Sequence, residues 1–242
     1  MKIYVCDGTF ESIFCAAYHA LKNKERPKIC TKLNFQPSFL TEYIEIDLDC
    51  EIYKKVKNAL IKISAKTFKY LECAFKSNNL IKYEVIFNAI IKTILSKKCQ
   101  LENFTDEHFF NLDKLVSAVK LEAHRFLGFI RFSKSQNGVF YAHFEPDNDI
   151  IEMILPHFLK RFYATLFVLH DTKHGKMVAC YKGKAQTFNN VFKKINILDE
   201  YQKLFKTYYD TVYIESRKNQ KTMLNFMPKR YHKNMPEKNE LL

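Results

Sequence analysis

Between residues 51 and 124 the apolar residues recur at steps of three and four, and they do so in three successive stretches. That period commits the middle of the chain to packed helices. Val56, Ala59, Leu60, Ile63, Thr67, Tyr70, Leu71 and Ala74 line one face of the first, with Lys54, Lys57, Lys62, Lys69 and Lys76 opposite. Tyr83, Ile86, Phe87, Ile90, Ile91 and Ile94 make the buried side of a second. Thr105-Asp106 opens a third, with Leu112, Leu115, Val116, Val119 and Ala123 inside. Such stripes bury against one another, so the block reads as a core-forming helical layer rather than a cofactor box.

The flanks have a different texture. Ile3–Asp7 reads as a strand ending at the turn dipeptide Asp7-Gly8, and Thr9 then caps a helix to about Lys24, which Pro27 ends. Ile29–Leu33 and Tyr43–Leu48 read as two more strands. Beyond Arg125, Phe126–Phe132 and Val139–Phe144 flank Asn137-Gly138, a hairpin signal. Pro146-Asp147 opens a helical region to about Tyr163, kinked or split at Pro156. Leu166–Leu169 and Met177–Tyr181 form a second strand pair, and Tyr201, Leu204, Phe205, Tyr208 and Val212 an amphipathic helix. The expected fold is a single α+β domain: an antiparallel sheet with a β-β-α-β-β block, a helical middle layer and C-terminal helices. Its sub-regions are 1–50, 51–124, 125–183 and a basic segment at 197–235.

Hydrophobic residues at 47% exclude a disordered chain, and no apolar run approaches the roughly 20 residues of a membrane span. The start, MKIYVCDGTF, reads as a strand rather than a signal peptide. A cytoplasmic protein without membrane attachment is expected. The seven cysteines are scattered with no C-x-x-C pair, so a zinc ribbon or iron–sulfur site has no basis and most should be reduced core residues. No glycine-rich phosphate loop, nucleophile elbow or helix-spaced metal motif is present. No cofactor is expected. The formal charge of +13 suits a polyanionic partner, although a lysine-rich composition is also what an AT-rich genome produces.

Two groups of residues carry possible chemistry. The segment from His124 to His174 holds five of the eight histidines, His124, His143, His157, His170 and His174, together with Arg125, Arg131 and Arg161. Arginine makes planar bidentate contacts with phosphate that lysine cannot; the alternative is pairing with Glu122, Glu145 or Asp171. A metal would draw oxygen ligands from Glu145, Asp147, Asp149, Glu152 or Asp171, but buried or surface histidines are the simpler reading, and no metal is expected. The second group is ESRKNQK at 215–221 and MPKRYHK at 227–233, where Arg217, Lys218, Asn219, Lys229, Arg230 and Tyr231 combine cations with an aromatic ring. Met223, Leu224, Phe226 and Met227 would dock this segment.

Several stretches resemble a bacterial family labelled "probable DNA metabolism protein": YVCDGTFESIFCA at 4–16, EAHRFLGFIRF at 122–132, GVFYAHFEPDNDI at 138–150, ILPHFLKRF at 154–162, VLHD at 168–171, IESRKNQ at 214–220 and FMPKRYHKNMPE at 226–237. The resemblance implies a companion of a radical S-adenosylmethionine protein in DNA modification or repair, and in some relatives a similar domain is joined to a uracil-DNA glycosylase. The residues it carries over are His124, Arg125, Arg131, Glu145, Pro146, His157, Arg161, His170 and Asp171, then Arg217, Asn219, Pro228, Arg230 and Tyr231. Relatives tend to have Trp where this chain has His232.

These readings predict a DNA-binding accessory protein. Arg125, Arg131, Arg161, Arg217, Lys218, Asn219, Lys229, Arg230 and Tyr231 would contact DNA. The alternative is a hydrolase or lyase acting on DNA through His124, His157, His170, Asp171 and Glu145. A third possibility is a protein-interaction subunit whose basic surface meets an acidic partner.

Overall fold

In a computed structural model of the chain, which describes residues 2–37, 42–135, 137–193, 195, 207, 211–212 and 219–235, β1 (Lys2–Cys6) is buried along Tyr4, Val5 and Cys6, on both of its faces. Burial on both sides suits the centre of a parallel sheet. β2 (Lys28–Thr31) and β3 (Glu42–Glu45) pair on either side of it, both parallel, in the order β2-β1-β3. The antiparallel expectation is therefore corrected here: the apolar run Ile3–Cys6 marks a strand covered on two faces, not one.

Between β1 and β2 lies α1 (Phe10–Asn23). Its Thr9 cap accepts the Ser12 N–H at 3.2 Å, and Lys24 ends it in the left-handed conformation. α2 (Cys50–Phe75), α3 (Lys82–Ser96) and α4 (Glu107–Phe129) follow as the periodicity requires. Asp49 caps α2 by accepting the N–H groups of Glu51 and Ile52. Within α2, Ser64 has extended backbone and caps the second half of the helix, its hydroxyl accepting from the Thr67 N–H at 3.0 Å. Phe14, Leu60, Leu71, Ile86, Ile90 and Leu112 are wholly buried in the core these elements share. This is the first of two compact units, Met1–Val119; the second is Lys120–Leu242, and the boundary falls inside α4.

In the second unit the expected strand Phe126–Phe132 is corrected. Helix α4 runs on to Phe129, because Glu122, Ala123, Phe126 and Ile130 continue its buried stripe, and a short apolar run cannot by itself separate helix from strand. Only Ser133–Lys134 (β4) pairs with β5 (Phe140–Phe144), across the turn containing Asn137-Gly138. α5 (Ile151–Arg161) runs unbroken through Pro156 and begins later than Pro146. β6 (Phe167–Asp171) lies parallel to β5, with Phe140 opposite Phe167 and Phe144 opposite Asp171. The β-β-α-β-β order holds, with β4–β5 antiparallel, and only the β5–β6 pairing is corrected: a helix between neighbouring strands returns the chain to the same end, so the second strand runs the same way. β7 (Lys176–Tyr181) and β8 (Lys184–Phe188) then add antiparallel strands, giving the order β4-β5-β6-β7-β8. The fifth strand, β8, had no counterpart in the sequence reading.

The expected helix at Tyr201–Val212 lies for the most part outside the described residues. Of the C-terminal segment, α6 (Gln220–Phe226) and a 3₁₀ helix at Lys229–Asn234 are described. None of the seven cysteines is in a disulfide; Cys6, Cys15 and Cys180 are buried, whereas Cys50 and Cys99 are exposed. Burial pushes the Cys180 thiol up to about 11. Among the described residues no helix is long and apolar enough to cross a membrane.

Phe158 is the wholly buried centre of an aromatic cluster: its ring lies 5.5 Å from Phe132 and 6.5 Å from Phe162, and Phe167 packs on both of those. Phe158→Ala should cost about 3–5 kcal/mol in chemical denaturation, and a loss below about 1 kcal/mol would contradict this placement.

Candidate functional site

Glu122 sits on the buried stripe of α4 with 4% of its surface exposed. Its Oε1 accepts the Asp147 N–H at 2.7 Å and the Tyr231 hydroxyl at 2.5 Å. Its Oε2 accepts the Asn148 N–H at 2.8 Å and the Asn148 side-chain amide at 2.6 Å. All four partners donate, so both oxygens act purely as acceptors. These bonds hold the 146–149 loop out of helix, which is why α5 starts late, and they fix the C-terminal segment to α4.

Tyr231 is 3% exposed, its ring 5.0 Å from Phe126 and 5.9 Å from Phe129. Burial, and the hydrogen bond it gives Glu122, push its phenol well above the usual tyrosine range. Arg230 stacks 4.7 Å over the same ring, donates to its oxygen at 3.0 Å and pairs through Nε with Asp147 Oδ2 at 2.8 Å. Asp147 Oδ1 takes Lys173 at 2.9 Å. Burial works against the Asp147 carboxylate, but the Lys173 hydrogen bond, with the charges of Lys173 and Arg230, outweighs it and holds the group below its ordinary value. Asp149 pairs with Lys176 at 2.5 Å. Arg125 donates to the Asn225 carbonyl at 2.9 Å, tying α6 to α4.

A second network runs through the sheet. His170 is wholly buried; its Nε2 meets the Val191 carbonyl at 2.7 Å and its Nδ1 the Tyr141 hydroxyl at 2.7 Å. A carbonyl only accepts, so the proton sits on Nε2. The Ile195 N–H donates to Tyr141 at 3.1 Å, leaving the Tyr141 hydroxyl to donate to Nδ1. Burial raises the Tyr141 phenol despite the Ile195 bond, consistent with a neutral hydroxyl. Asp171, also wholly buried, accepts from the Lys173 N–H, the His174 N–H and the His174 ring. It closes the β6–β7 turn.

The remaining expected residues are spread over the unit. His124 and His157 are exposed on α4 and α5, and Glu145 is half-buried beside Pro146. Arg161 is exposed at the end of α5, over the Phe162 ring at 5.6 Å. Arg131 donates to the Gly128 and Ile130 carbonyls. Asn219 caps α6 by accepting the Thr222 N–H at 3.0 Å, and Lys229 is exposed. Arg217 and Lys218 lie outside the described residues. Among the described residues no three His, Cys, Asp or Glu gather in a way that could hold a metal ion. The sequence reading missed Glu122 as the hub and Tyr141 as the partner of His170. One signal was available for Glu122: an acid falls on an apolar helical stripe between Val119 and Phe126.

The fold and the site define a mixed α/β protein whose second unit is closed by a buried carboxylate–tyrosine clamp. Residues 81–237 match the family described as a domain of unknown function, DUF4130, and the chain belongs to that family. It is the domain associated with the DNA-metabolism family that the sequence resembles. No curated protein and no solved structure matches the chain.

Tyr231→Phe keeps the ring between Phe126 and Phe129 but removes one donor from a buried carboxylate. A loss of about 1–3 kcal/mol in denaturant melts is expected, with faster tryptic cleavage at Lys229 and Arg230; unchanged stability and cleavage would contradict the clamp. The folded Asp147 carboxyl takes up a proton less readily than the unfolded one. Its contribution is therefore full above about pH 4 and is lost as pH falls through its lower folded value. Asp147→Asn should flatten the acid side of the stability–pH curve, and an unaltered acid side would show that Asp147 is not a contributor.

Proposed function

We propose that this chain is a DNA-binding accessory protein of a bacterial DNA repair or base-modification system, acting beside a radical S-adenosylmethionine protein. The observation that carries the reading is where the charge sits. Residues 120–242 hold 21 Lys and Arg against 12 Asp and Glu, whereas residues 1–119 hold 18 against 14. In the second unit Glu122, Asp147, Asp149 and Asp171 all bind internal donors. Lys160, Arg161, Lys182, Lys184 and Lys193 have no acidic partner among the described residues. Exposed cations without an acidic partner suit a phosphate backbone. The resemblance to the DNA-metabolism family supplies the process and the partner.

The same networks bear on the hydrolase or lyase alternative. Both nitrogens of His170 are engaged, and Asp171 already holds three donors, so this pair supports the sheet and its turn. That favours binding over chemistry by these two residues.

Fluorescence anisotropy of labelled duplex DNA with the full chain tests the reading. With about five phosphate contacts, log K should fall against log salt with a slope of about −4.5, nearly three orders of magnitude between 50 and 200 mM salt. Affinity that ignores salt, or no binding at 50 mM, would sink the proposal.

A further inference from the structure

Between Glu152 and Asp199 the sequence has eight Lys or Arg against one acid, Asp171, and Asp171 is buried in the β6–β7 turn. The β7–β8 hairpin lies in this stretch. Its closing pair is Tyr181 opposite Lys184, and its tip is Lys182-Gly183, with φ of 48° and 73°. Two positive φ values are those of the hairpin turn that favours Asn, Asp or Gly, so Lys182 stands where a lysine is conformationally unfavourable.

Tyr163 is seated on that tip. The Lys182 N–H donates to the Tyr163 carbonyl at 3.1 Å, and a β-carbon at Gly183 would lie 3.2 Å from the Tyr163 ring. Tyr163 nevertheless remains 62% exposed and Tyr181 47% exposed. The Lys182 ammonium is 5.3 Å from the centre of the Tyr181 ring. Lys160 and Arg161, both exposed, end α5 just before Tyr163. Two exposed phenol rings thus share this segment with four cations, Lys160, Arg161, Lys182 and Lys184, and none of these four pairs with an acid among the described residues.

We propose that this hairpin tip seats single-stranded nucleic acid, Tyr163 and Tyr181 stacking on unpaired bases while the four cations hold phosphates. The proposal rests on the DNA-binding reading and adds the strand form and the place. A duplex keeps its bases stacked on one another and offers the two rings no open face, so it meets the cations alone.

The test is anisotropy of the full chain with fluorescein-labelled dT12, rU12 and a blunt 12-base-pair duplex at two salt concentrations. Tyr163→Ala and Tyr181→Ala should each weaken dT12 binding about tenfold and leave the duplex unchanged. The single-strand effect should be equal on rU12, since stacking does not read the sugar. Tyr163→Phe and Tyr181→Phe keep the ring, and with it the packing on Gly183, and should bind as wild type. Lys182→Ala with Lys184→Ala should weaken every nucleic acid and lower the dT12 salt slope by about 0.7 per cation removed. Alanine variants that bind dT12 like wild type while duplex binding persists would overturn the site and leave the DNA-binding reading standing. Phe variants as weak as the Ala variants would overturn stacking. Binding to phosphatidylserine vesicles with none to any oligonucleotide would overturn both readings.

Discussion

Burying the Glu122 carboxylate removes it from water, which is unfavourable by several kcal/mol unless donors replace that water. Here the donors come from two distant stretches of the same unit, the backbone and side chain at 147–148 and the hydroxyl of Tyr231. Once those bonds form, the 146–149 loop cannot wind into α5. The 3₁₀ segment cannot leave α4, and Arg230 is delivered onto Asp147. The aromatic wall of Phe126 and Phe129 follows from the same stripe of α4, and it keeps water from the Tyr231 hydroxyl.

That closure also sorts the charge. Asp147 receives Arg230 and Lys173, Asp149 receives Lys176, and Asp171 turns back on His174. The acids of the sheet's loops are therefore satisfied internally, while the end of α5 and the tip of the β7–β8 hairpin carry cations beside exposed rings. The Tyr141–His170 network does similar work on the sheet, tying Val191 and Ile195 to β5 and β6. His170 and Asp171, which look catalytic in isolation, are held in this way by hydrogen bonds within the sheet and its turn.

The elements most legible in the sequence were those whose period has one interpretation. The stripes of α2 and α3 and the Thr9 cap of α1 follow directly from residue spacing. The run Phe126–Phe132 did not, because its five apolar positions, Phe126, Leu127, Phe129, Ile130 and Phe132, can be read with either period, and only the continuation from Glu122 decides for helix. Strand direction was hidden as well: that β5 and β6 are neighbours across α5 is a tertiary fact, and parallel pairing follows only from it. β8, exposed at every position, has no apolar alternation to announce it. The site was half visible. Arg230 and Tyr231 were singled out for contact with DNA; the structure pairs both with Asp147, some eighty residues away, burying Tyr231 and leaving Arg230 exposed. Glu122 was visible only as a possible arginine partner, since nothing local reveals which donors will converge on a buried acid.

The most direct test of the central claim is ultraviolet crosslinking of the full chain to a 4-thiothymidine-substituted single strand, with the crosslinked peptides mapped by mass spectrometry. The account predicts adducts on peptides containing Tyr163 and Tyr181, with Arg161 and the Lys182–Lys184 tip protected from modification by the bound strand. Adducts confined to the lysine face of α2, or spread evenly over the chain, would contradict it.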